Sequence, residues 1–125
     1  PGIRCYSGTA TYRRTLDLPD PLPPGRLVLD LGSVRELAEV RLNGRSLGTV
    51  WAPPFQVALT GAARPGANAL EVDVVNFWYN RVVTDSKLPA EQRLTQTNIR
   101  RLENPGLPLM PSGLLGPVQL LRSQP

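Results

Sequence analysis

Fourteen prolines and eleven glycines cut this chain into short pieces, and most of the pieces alternate apolar with polar residues. Frequent backbone punctuation combined with a period of two describes strands joined by tight connections, the signature of an all-β sandwich or barrel. In "TATYRRTLDL", residues 9–18, Ala10, Tyr12 and Leu16 share one parity, while Thr9, Thr11 and Arg13 share the other. One apolar face is expected there. The following "PDPLPPG" holds four prolines, which remove donors and fix φ, so it can only be a loop.

"RLVLDL", residues 26–31, sets Leu27, Leu29 and Leu31 against Val28 and Asp30. In "LAEVRLNGRSLGTVW" the residues Ala38, Val40 and Leu42 alternate with Glu39 and Arg41 before Asn43-Gly44, the pair that supplies the two positive-φ positions of a type I′ turn. A hairpin is predicted, with its return strand over Leu47–Trp51. Phe55–Leu59 is a short strand after two prolines, and "GAARPGAN" is a turn. Leu70, Val72 and Val74 then face inward and Glu71 and Asp73 outward, as in a central strand with one wet face. From Tyr79 to Met110 alternation fails, Pro89, Pro105 and Pro108 interrupt the chain, and no helical period is legible. A stretch that long without elements of its own is expected to be either a functional loop or a disordered one. "SGLLGPVQLLRS" supplies a last strand through Val118 and Leu120.

The chain has 125 residues, enough for a single domain over 1–125 with a real core. It has no histidine and one cysteine, Cys5. Neither an intrachain disulfide nor a Ser-His-Asp or Cys-His centre can be built, so no catalytic residue is assigned. The net charge of +4 comes from arginines spread along the chain and interleaved with acids, which reads as solvated surface and not as a nucleic-acid face. No apolar run reaches a membrane span, and neither nucleic acid nor membrane is expected as a partner. The opening "PGIRCYSG" reads as a cut into something larger.

Four segments taken together resemble a known family: "SGTATY", "LDLGSVRELAEVRLNGRSLGTVWAPPF", "PGANALEVDVVNFWYNR" and "SGLLGPVQL". Their order is similar to that of the galactose-binding-like jelly roll attached to glycoside hydrolases of families 2 and 106. The likeness is greatest to the α-L-rhamnosidases of family 106, where N-x-W-x-N-R and the closing SGLLGPV go together. Thr84 stands where the pattern would have glycine, and Cys5 where it would have an aromatic. The resemblance implies a jelly-roll β-sandwich of about eight antiparallel strands with one long irregular loop. It further implies a non-catalytic accessory domain of a larger, extracellular or periplasmic enzyme, although the sequence itself carries no address. In several family 2 enzymes a loop of the corresponding domain touches substrate in the neighbouring active site.

The expected partners are a plant or bacterial polysaccharide, with rhamnose or galactose as candidate sugars, and the adjacent catalytic domain. Sugars present apolar C–H faces and a rim of hydroxyls. "NFWYNRVVTD", residues 76–85, offers a matching kit: Trp78 and Tyr79 as platform, with Asn76, Asn80 and Arg81 as hydrogen-bonding partners. Trp51, Asn98 and Arg100 complete the candidate set. For Trp78 the competing role is a plug at the end of the sandwich, because tryptophan is usually buried; Tyr79, on the opposite parity, is then the expected exposed partner. Asp85 and Glu103 are given no catalytic role, since nothing in the sequence fixes their separation. No cofactor is expected. Related sandwiches often hold a structural calcium, which this sequence neither supports nor excludes.

Overall fold

A computed structural model describes residues 2–123, and it is an antiparallel β-sandwich. The strands are β1 (Thr9–Leu18), β2 (Arg26–Asp30), β3 (Ser33–Arg35), β4 (Leu37–Leu42), β5 (Arg45–Val50), β6 (Gln56–Ala58), β7 (Gly66–Val75), β8 (Gly113–Gly116) and β9 (Gln119–Ser123). One layer has the order β1-β7-β4-β5, the facing layer β6-β2-β9, and β3 pairs with β8 beside them. The single closing strand expected from the sequence is two, β8 and β9, because Gly116-Pro117 turns the chain between them.

The hairpin forms at the expected place. Asn43 and Gly44 both have positive φ, and Leu42 pairs with Arg45 across the two-residue turn. Asn43 does more than turn the chain. Its Oδ1 accepts from Ala69 N at 3.0 Å and its Nδ2 donates to Oδ1 of the fully buried Asn68 at 2.9 Å, which fixes the hairpin to β7. The inward sets Leu27/Leu29/Leu31, Ala38/Val40/Leu42 and Leu70/Val72/Val74 are all buried. Each such Val or Leu is worth roughly 1.5–3 kcal/mol of transfer free energy, so these rows carry the fold. Gly32 joins β2 to β3 at φ +66°, and a Cβ there would run into the backbone of Gly116. Only glycine lets those two chains meet.

One expectation needs correction and another is only partly met. Strand β1 has its apolar face on the expected parity, with Ala10 and Leu16 partly buried, but that face is not fully covered: Tyr12 is 42% exposed. A four-stranded layer lies over a three-stranded one, so β1 lacks a partner strand opposite. The 79–110 stretch is also not wholly irregular. It opens with the helix α1 (Tyr79–Asp85) and carries short 3-10 turns at Ala90–Gln92 and Arg100–Glu103.

Candidate functional site

Strand β7 ends at Val75, and the next residues leave the sheet to start α1. Side-chain alternation stops with the strand, and this reverses the expected roles of the two aromatics. Trp78, at the N-cap position of α1, is 49% exposed and does not plug the sandwich, whereas Tyr79 is half-buried and its hydroxyl donates to Pro108 O at 3.3 Å.

Three polar side chains fasten the long segment over α1. Asn76 Oδ1 accepts from Gly8 N at 2.9 Å, while its Nδ2 donates to Tyr6 O at 2.7 Å and Ser112 Oγ at 2.8 Å. Asn80, buried, donates from Nδ2 to Met110 O and accepts at Oδ1 from Met110 N, both at 2.8 Å. Asp85, also buried, takes three donors on Oδ2: Thr95 Oγ1 at 2.7 Å, Thr95 N at 2.8 Å and Leu94 N at 3.0 Å. Its Oδ1 makes no aligned hydrogen bond but lies 3.1 Å from Arg81 Nη2, one helical turn back. Burial by itself would raise the Asp85 carboxyl. The Thr95 hydroxyl and amide, the Arg81 charge and the Leu94 amide outweigh it and hold the group below its ordinary value.

The Asp85 clasp presents residues 95–98 opposite Trp78. Between them lies an open cleft of about 680 Å³, with the Trp78 indole and Val82 on one side and Thr95, Gln96, Thr97, Asn98 and Ile99 on the other. Trp78 and Asn98 thus line the same cleft. Asn76, Asn80 and Arg81 spend their polar atoms on the fold around the cleft, and Arg100 sits exposed in the 3-10 turn that follows it. Trp51, 76% exposed, borders a different hollow of about 510 Å³ with Pro53, Pro54 and Glu36. Glu36 also lines the small depression beside Phe77, Tyr79 and Met110, so the two regions adjoin.

Thr95, Gln96 and Thr97 lie outside the candidate set read from the sequence. Their only local signal is a run of hydroxyl and amide residues, "TQTN", within a stretch rich in arginine. Among the described residues, no three His, Cys, Asp or Glu side chains gather in one place. An indole face set against hydroxyls and amides can stack on a sugar ring while bonding its rim.

No protein-family model matches the chain. A protein of Formosa agariphila named "Putative beta-glucuronidase" is 38% identical over 95% of this chain and 12% of its own length. Among solved structures, a rhamnosidase from Novosphingobium sp. PP1Y superposes with a TM-score of 0.81 at 41% identity, over 92% of this chain and 11% of that one. A Bifidobacterium dentium beta-glucuronidase complexed with coumarin-3-O-glucuronide gives 0.53 at 32% identity, over 58% of this chain and 12% of that one. The chain therefore spans about an eighth of the glycoside hydrolase chains it is similar to.

Proposed function

We propose that this chain is a saccharide-recognising module of a larger glycoside hydrolase of the α-L-rhamnosidase kind, with a galactose-binding-like jelly-roll fold and no catalytic groups of its own. The observation that carries the reading is the cleft beside Trp78. It pairs a half-exposed indole with Thr95, Gln96, Thr97 and Asn98, a platform facing a row of neutral donors and acceptors. The neutral lining suits a sugar ring better than a charged ligand. The likeness to small portions of rhamnosidase and glucuronidase chains supports the same reading. Contact with sugar is assigned to Trp78, Gln96 and Asn98; Asn76, Asn80 and Arg81 are assigned to holding that cleft open.

Calorimetric titration with rhamnose, galactose, glucuronic acid and plant polysaccharides tests the proposal. Measurable heat of binding with one of them is expected, accompanied by a change in tryptophan fluorescence. Flat responses throughout would remove the sugar-binding function. Aryl glycosides incubated with the pure chain should release no aglycone.

A second reading is a structural module that docks on a catalytic domain. It is favoured by the exposure of Trp51 (76%), Phe77 (60%) and Met110 (56%) on the adjoining hollows. In that case the isolated chain binds no sugar, and charged replacements at Trp51 and Phe77 abolish assembly with the catalytic domain.

A further inference from the structure

The two flanks of the sandwich are not alike. On one, β5 and β6 lie against each other, joined by the short link through Trp51 and Phe55. On the other, β1 and β9 are both edge strands, and a slot of about 650 Å³ opens between them. Its floor is apolar: Leu16, Leu18, Leu29, Leu70, Val72 and Leu120. Four strands face three, and the missing place is the one beside β9, opposite β1.

Arg14 lines the slot, as does Asp17 on the same strand. By register Arg14 pairs with the buried Leu70 and Arg122 with the buried Leu27, so both arginines stand on the inward faces of their strands, Arg122 two residues beyond the part of β9 that lines the slot. Among the described residues neither takes part in an ion pair. Among the described residues, Arg14 is thus a positive charge without an ion pair at the slot, beside a strand whose outer backbone groups meet no described strand, and Asp17 is the one acid in the lining.

We infer that the slot takes one extended polypeptide strand from outside residues 1–125. The strand pairs with the free edge of β9, sets alternate apolar side chains into the slot, and brings an acidic residue to Arg14. Its source is the remainder of a longer enzyme, a point that rests on the module reading and on relatives of which this chain spans only 12%. A strand suits the place better than a helix, since only an extended backbone can pair with the free edge of β9.

The test is an NMR titration of the isotopically labelled chain with a synthetic peptide of about nine residues, long enough for one strand. The peptide alternates valine and threonine around a central glutamate; companions carry lysine at the centre or proline at alternate positions. New amide protection is expected in β9, with the lysine peptide at least about threefold weaker, as opposite-charge cross-strand pairs would give. Arg14→Glu, on an exposed side chain whose fold is checked by circular dichroism, should reverse the preference between the glutamate and lysine peptides. Absence of protection at β9 up to millimolar peptide would overturn the inference, because the arginines would then only guard a bare edge. Concentration-dependent self-association through β9 would overturn it too, in favour of a second copy. Sugar titrations are read separately, so loss of the saccharide reading leaves this result standing, and the reverse.

Discussion

The side chain of Asn80 and the backbone of Met110 hold each other through a reciprocal pair of hydrogen bonds, both 2.8 Å, across thirty residues of sequence. The amide imitates one rung of a β-ladder, and it lets a helix residue carry a loop as a strand would. Asn80→Ala leaves the Met110 N–H and C=O without that partner, and about 2 kcal/mol of stability should be lost. Denaturant midpoints measure the cost, and hydrogen exchange at the Met110 amide localises it. An unchanged exchange rate there would show that the clasp does not hold the loop.

Acid should loosen the other end of the same segment. Asp85 is held below its ordinary value, with burial opposing and the Thr95, Arg81 and Leu94 contacts prevailing. A carboxyl depressed in the folded state gives stability that is fully present above its unfolded value, about 3.9, and is lost as pH falls through the lower folded one. Asp30, Glu71 and Asp73 are lowered as well, so the isolating quantity is the difference between the wild type and Asp85→Asn. That difference should stay level from neutral pH to about 5 and shrink below about 4. A difference that does not change with pH would mean that Asp85 is already protonated or unpaired.

How legible this molecule is in its sequence depends on the element. The Asn43-Gly44 hairpin and the buried rows of β2, β4 and β7 can be read directly, because period-two burial and positive φ are properties of neighbouring residues. Helix α1 cannot. It has seven residues, its middle is the β-branched run Val82, Val83 and Thr84, and its buried positions 80, 82, 83 and 85 do not make a single stripe. It exists because Asn80 and Asp85 find partners far along the chain, which no local pattern announces. The same distance hid the cleft: its second wall is positioned by Asp85, a residue that reads in sequence as one more acid.

The two tryptophans should separate by function. Trp78 faces the amide row across the cleft, and Trp51 borders the neighbouring hollow. Trp78→Ala is expected to weaken saccharide binding by about tenfold, a stacking contribution of about 1.4 kcal/mol. Its stability cost should stay below about 1 kcal/mol, since half of the side chain is already in water. Trp51→Ala should leave the affinity unchanged. Equal losses in the two variants, measured by calorimetry, would spread the site over both hollows and remove the assignment to the cleft.

The two places where this chain departs from the resembling family's pattern touch each other. Thr84, where glycine is expected, has its Oγ1 2.7 Å from the Sγ of Cys5, where an aromatic is expected, and 2.7 Å from Asn80 O within α1. Because the two side chains are in contact, a change at one position is expected to be felt at the other. Thr84→Gly alone should destabilise by about 1 kcal/mol or more, through the lost contact and the glycine penalty in a helix. Cys5→Phe alone should overpack against the threonine by a similar amount, about 1–3 kcal/mol. Made together, the two changes should cost less than their sum by at least about 0.5 kcal/mol, the coupling expected of residues in contact. The cycle is read from urea midpoints of the four proteins. Strict additivity would mean that Cys5 and Thr84 were exchanged independently, and that their contact is incidental to the docking of the 3-10 turn Gly2–Cys5 on α1.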